Sequence, residues 1–183
     1  MPNGKTHAVA TVLAAGTIGP VSYYFGGISI PAAIALSAGT MIGLIINPDL
    51  DVQIGSRSFW LIRRSFGPLI GFLWQWFWQP YAQLIPRHRH PLSHLPLLGT
   101  ALRLLYLFLI FGGLYWAMRS LWMSAAGGLA GMGMLIVDQY GQALPPPPGL
   151  SELFSWSYFW WAAGGLALAD TLHTLMDYTW PWQ

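Results

Sequence analysis

The sequence predicts an all-α protein, a polytopic helical membrane fold of four or five hydrophobic helices with a tryptophan-rich interfacial segment. Three observations carry that expectation. Charged residues make up 8% of the 183-residue chain and hydrophobic residues 55%, whereas a soluble domain usually carries about 25% charged residues. From Thr6 through Pro48 no side chain is formally charged, apart from a protonatable His7, and that length allows two spans of about 20 apolar residues each. Eleven tryptophans and eight tyrosines fit aromatic belts at two membrane interfaces.

Taken in order, the first apolar segment is Ala8–Phe25, followed by a tight-turn signal at Gly26-Gly27. Lys5 followed by Ala8–Ile18 imitates a signal peptide, but the apolar character resumes after Pro20, so the segment reads as retained. The second segment, Ile30–Ile46, is rich in small residues that permit close helix packing, and Pro48 ends it. Gln53–Arg64 is the most polar linker. Phe66–Ile85 carries Trp74, Trp76 and Trp78 between glycine, proline and glutamine breaks, and reads as an interfacial segment. Leu97–Met118 is the third strong segment, with Arg103 placed to snorkel and Arg119 closing it. Leu121–Val137, rich in Gly and Met, reads as a span or a re-entrant segment ending at Asp138. Four prolines stiffen Ala143–Gly149, and Phe154–Tyr178 is the last hydrophobic helix. No repeat is present, and one membrane domain over 1–183 is expected.

Lysine and arginine placement puts Lys5, Arg57, Arg63, Arg64, Arg87 and Arg89 on one side, the cytoplasmic face of a bacterial inner or thylakoid membrane. The lipid bilayer is then the chief partner. Alternating spans after Arg103, however, place His173 on the side opposite His94. With no cysteine, disulfides and thiolate sites are excluded. With a net charge of +2 and no basic stripe, nucleic acid is not an expected partner.

Ionisable residues gather in three knots: Asn47-Pro48-Asp49-Leu50-Asp51, His88-Arg89-His90-Pro91-Leu92-Ser93-His94, and Asp170 through Asp177. The five histidines are those in the knots plus His7. Asp49 and Asp51, one residue apart, point to one side of an extended stretch, and two close carboxylates repel unless a cation joins them. Pro91 interrupts any helix through all three middle histidines but fits the first turn of a following one, which would carry His94. Asp170, His173 and Asp177 are spaced three and four apart, one stripe of a helix. Imidazoles suit zinc, and carboxylates extend the choice to manganese.

Gly4-Lys5-Thr6-His7, Pro48-Asp49-Leu50-Asp51, His88-Arg89 with Ser93-His94, and Asp170 with His173 resemble the bacterial DUF2227 metal-binding membrane proteins. They are similar, more distantly, to the YdjM-related inner-membrane metal-dependent hydrolases, in which the middle motif lacks one of the residues present here and His90 has no counterpart. The resemblance implies a divalent-metal site. The expected ligands are His7, Asp49, Asp51, His88, His94 and His173, with Asp170 or Asp177 completing or orienting the set. Zinc or manganese is the expected ion, in one site or two. In an enzyme the ion would lower the pKa of water, Asp51 would accept a proton and Arg89 would steady an anionic intermediate. The membrane setting points to a lipid-like or membrane-bound substrate. The rival expectations are a metal or proton transporter, whose ligands would be spread across membrane depth, and a structural metal-binding subunit, whose coordination would be closed.

Overall fold

A computed structural model of the chain describes residues 4–52, 55–131 and 157–179, and secondary structure there is helical throughout. Seven α-helices are described: α1 Gly4–Gly26, α2 Ile30–Ile42, α3 Arg57–Phe66, α4 Pro68–Leu84, the single turn α5 Pro91–His94, α6 Pro96–Gly131 and α7 Ser157–Thr179. A 3₁₀ turn, Pro48–Asp51, lies between α2 and α3. The chain divides into two compact units, Met1–Leu104 with Ser157–Gln183, and Leu105–Trp156. The described part of the second unit is the continuation of α6.

In the first unit α2 is the central helix, packed on α1 and on α7. Its start is set by Ser29, whose hydroxyl accepts the Ala32 N–H, and by Pro31 in the first turn. Gly27, at φ 65°, makes the left-handed turn that joins α1 to α2. The α2–α7 contact is close enough that glycine is required on both sides. A Cβ on Gly39 would strike the Ala162 carbonyl, and one on Gly165 would strike the Leu36 carbonyl. This approach brings the polar stripe of α7 up to the chain that leaves α2.

The second layer is the α3–α4 hairpin, which packs on the Pro48–Asp51 turn. Ser56 caps α3 by accepting the Phe59 N–H, and Trp74 Nε1 donates to Ser58 Oγ at 3.2 Å. Trp78 and Tyr81, each 2% exposed, are the buried aromatic pair of α4, their rings meeting edge to face. The aromatic residues of α4 therefore serve two faces. One is a packed core, and the other, with Phe72 and Trp76, is exposed.

These features overturn the expected four-or-five-helix membrane fold. Among the described residues two helices, Lys5–Gly26 and Pro96–Ala125, are long and apolar enough to cross a bilayer. The second hydrophobic segment forms a helix of only 13 residues, which rises about 20 Å against a hydrocarbon core of about 30 Å. The tryptophan-rich segment is a packed helix rather than an interfacial one. The C-terminal helix is apolar only until Ala169, after which Asp170, His173 and Thr174 are buried within the unit. The expected boundary at Arg119 is absent, because α6 continues to Gly131. With the spans go the bilayer as partner, the inner-membrane or thylakoid location and the cytoplasmic orientation derived from them. Asp138, Met132, Met134 and the prolines 145–148 lie outside the described residues, as does the later part of Leu121–Val137.

Gly165→Val should lower unfolding stability by about 1–3 kcal/mol, the usual cost of overpacking. Gly164→Val, at a position where a Cβ meets nothing within 4 Å, should cost less, and thermal denaturation of the two variants checks the difference.

Candidate metal centre

The site begins with a buried carboxylate. The Asp51 side chain has no exposure, and an unpaired charge there would be costly. Its two oxygens collect the middle knot. Oδ1 lies 2.7 Å from His88 Nδ1, and Oδ2 accepts the Arg89 N–H at 3.1 Å and the Ser93 hydroxyl at 2.7 Å. Arg89 reaches this position with φ 63°, a left-handed conformation that non-glycine residues adopt uncommonly. The Asp51 hydrogen bond is what the strained backbone secures.

The three histidines of the middle knot do different work. His90 caps α5, its Nδ1 accepting the Leu92 N–H at 3.2 Å. Pro91 occupies the first turn, where its missing donor costs nothing. His88 is half exposed, and its hydrogen bond to Asp51 holds its pKa above the ordinary imidazole range. His94 is 4% exposed. Ser93 Oγ stands 2.9 Å from His94 Nδ1, and its single proton has acceptors in Asp51 Oδ2 at 2.7 Å and the His90 carbonyl at 2.9 Å, so towards the ring it accepts Nδ1–H. That assigns the proton to Nδ1 and leaves a lone pair on Nε2. Nε2 is buried without a hydrogen-bond partner among the described residues. Burial, together with the neighbouring His173 and His88, pushes the His94 pKa down to about 4, although Asp51 and Asp49 oppose this. A neutral imidazole with an unused lone pair, steered by a carboxylate behind it, is the usual arrangement of a metal-ligating histidine.

The other donors converge on that lone pair. His94 Nε2 is 3.9 Å from Asp177 Oδ2, and His173 Nε2 is 3.6 Å from the same oxygen and 3.4 Å from Asp49 Oδ1. His7 Nε2 is 3.3 Å from Asp177 Oδ1, and its ring stacks on that of His173 with centroids 4.2 Å apart. Donors about 2.0–2.1 Å from a tetrahedral ion stand about 3.3–3.4 Å apart, so most of these separations are already near those of a coordinated set. Two overlapping groups result, His7/His173/Asp177 and Asp49/His94/His173. A third is Asp51/His88/His94, in which Asp51 Oδ2 approaches His94 at Nδ1, 3.6 Å away, the nitrogen that also faces Ser93. Asp49 is desolvated, which raises its pKa, but hydrogen bonding and charge from His173, with His88 and His94, outweigh this and hold it at about 2. Asp177 is likewise held below the usual range, burial being outweighed by His7, His173 and Arg89. Ionised carboxylates beside a neutral imidazole form a donor set that fits a divalent cation.

The chain matches, over residues 2–183, the model of the family described as "Uncharacterized metal-binding protein (DUF2227)". It belongs to that family. Neither the search of curated proteins nor that of solved structures found a match. The metal-binding description agrees with the donors gathered here, and no comparison ties the chain to the inner-membrane hydrolases.

Of the expected ligands, His7, Asp49, Asp51, His88, His94 and His173 come together, and Asp177 joins them. Asp170 stands apart. It accepts hydrogen bonds from Arg103 and Thr100, and burial pushes its pKa up although Arg103 opposes this. Arg103 is itself fully buried, rather than snorkelling, and its Nη1 also donates to the Ser93 carbonyl at 3.3 Å. Thr174 donates to the His94 carbonyl at 2.7 Å. Asp170 and Thr174 therefore clamp α7 to the His94 segment, while His173 and Asp177 from the same helix supply donors. Spacing along one helix cannot distinguish these roles, since both aspartates lie on the stripe. The expected separation of His173 from His94 came from alternating spans and disappears with them. Ser93 was legible only as part of a motif, and its relay to His94 is a tertiary fact.

Ser93→Ala should weaken metal affinity about 10–100-fold, as loss of an orienting partner usually does, measured by competition with a chromophoric chelator. Asp170→Ala should instead cost about 3–5 kcal/mol of folding stability, the range for a buried ion pair deprived of one partner, measured by chemical denaturation. Asp177→Ala should do the reverse, lowering metal content with a smaller loss of stability.

Proposed function

We propose that this protein is a divalent-metal-dependent hydrolase whose centre is formed by Asp49, His94, His173 and Asp177, with His7 at its edge. The mixed imidazole and carboxylate donors suit zinc or manganese. A cation there would supply Lewis acidity and make water a competent nucleophile near neutral pH.

The chain's own residues divide the remaining work. His94 offers a neutral nitrogen donor and His173 a second imidazole nitrogen, and Asp49 and Asp177 offer the negative charge that balances the ion. Asp51, buried and fully engaged, acts by holding Ser93 and the His94 tautomer rather than by taking a proton from a substrate. Arg89, 3.6 Å from Asp177 through Nη2, steadies that carboxylate. The similarity of the middle motif to the inner-membrane hydrolases adds weight to hydrolysis as the reaction class.

One observation carries the choice of an enzyme over a structural metal site. Asp49 lines a cavity of about 10 Å³ together with His7 and His173, and it also lines a wider one of about 560 Å³. The small cavity is of the order of one water molecule, and the larger is within the range of small-molecule sites, about 300–1,000 Å³. A structural site would have no such access. Clustering of the donors at one place also disfavours a transport path. Lys5, Asp49, Arg57 and Arg64 bring charge to the wall of the wide cavity, and Trp60 and Leu61 bring apolar surface.

Purified protein should contain zinc or manganese by elemental analysis. Esterase or phosphatase activity should vanish with a chelator and return with the ion. His94→Ala and His173→Ala should lose most of the metal, whereas His90→Ala should keep it. Equal retention in all three would overturn the ligand assignment.

A further inference from the structure

We propose that the wide cavity beside Asp49 is the seat of a phosphate monoester, with Arg57 and Arg64 gripping its dianionic phosphoryl group. This rests on the hydrolase reading above and gives it a substrate class.

Charge is the first argument. Lys5, Arg57 and Arg64 line the cavity against one carboxylate, Asp49. A chain with only eight lysines and arginines in all thus places three of them around one opening. The scissile group of a carboxylic ester or an amide is neutral in the ground state and brings no charge for three cations to bind. A phosphate monoester carries two negative charges near neutral pH, and planar guanidinium groups bind phosphate oxygens in pairs.

Arg57 is the second argument. It lines both the small cavity that holds His7 and His173 and the wide one. Its Nη1 is buried and finds no hydrogen-bond partner among the described residues. Burial lowers its pKa while Asp49 favours its charge. Such a group is held for an acceptor that arrives from outside. Arg57 also opens α3, so the positive end of that helix borders the cavity and adds to the attraction.

The rest of the lining suits the organic part of a monoester. Trp60, 47% exposed, and Leu61 provide apolar surface in the same cavity. Arg63 lies over the Trp60 ring at 5.4 Å and supports it. In the reaction the water oxygen bonds to phosphorus, the P–O ester bond breaks, and the leaving oxygen takes a proton from the water. The products are an alcohol and inorganic phosphate. Inorganic phosphate thus carries the recognised group and is a suitable probe.

Isothermal titration calorimetry of the purified full chain, as isolated and after chelation, tests the seat independently of turnover. Inorganic phosphate and methyl phosphate should bind saturably at pH 8. Dimethyl phosphate, a monoanion, and acetate should bind at least tenfold more weakly. Arg64→Gln, at an exposed position that the fold tolerates, should weaken phosphate at least tenfold with metal content unchanged, and so should Arg57→Gln. Phosphate binding that is unaltered by both substitutions, or matched by acetate, would overturn the proposal. If the protein holds no metal but Arg64→Gln still weakens phosphate tenfold, the anion seat stands and the metal-centre reading falls.

Discussion

The buried carboxylate of Asp51 is the constraint around which the polar part of this protein is arranged. A charge removed from water must be met by donors, and Asp51 is met by a ring, a backbone N–H and a hydroxyl from one short segment, His88 to Ser93. Satisfying it fixes the left-handed backbone at Arg89, the position of Ser93 and, through Ser93, the tautomer of His94. The lone pair available to a cation is thus a consequence of how an anion several bonds away is solvated. Under the proposed function Asp51 acts as the support of a ligand.

A second buried ion pair keeps that arrangement registered against α7. Arg103 and Asp170, reinforced by Thr100, occupy positions with almost no exposure. Such pairs contribute little net stability relative to apolar packing, yet losing one partner is severe. Their value here is positional. The pair joins α6 to α7, Thr174 ties α7 to the His94 carbonyl, and the glycine contact between α2 and α7 brings the Asp49 turn within reach of His173. Three separate pieces of chain then present donors to the same small volume.

The membrane reading failed for an instructive reason. Low charge and a high apolar content report how much surface is oily, not how that surface is divided into helices. Alanine- and glycine-rich stretches pass as spans in composition, yet α2 is 13 residues long. The tryptophans of α4 look like an interfacial belt but include Trp78, buried with Tyr81. Arg103, read as a snorkelling residue, has its charge matched by Asp170 from the far end of the sequence, a partner that no local pattern discloses.

By itself the sequence determined that the protein is helical, that its chain turns at Gly26-Gly27 and leaves its second helix before Pro48, and that its few histidines and aspartates belong to a metal-binding motif. These are local properties: apolar runs, proline and glycine punctuation, and ionisable residues too scarce to be scattered by chance. Only the tertiary structure decided which aspartate of the α7 stripe holds the fold and which faces the donors. It also separated the capping role of His90 from the buried, unpartnered Nε2 of His94, and placed Lys5, Arg57 and Arg64 around one cavity. The reason is that a side chain's protonation, tautomer and role depend on groups within a few ångströms. For Asp170, Asp51 and Asp49 those groups lie 67, 42 and 124 positions away in the chain, at Arg103, Ser93 and His173.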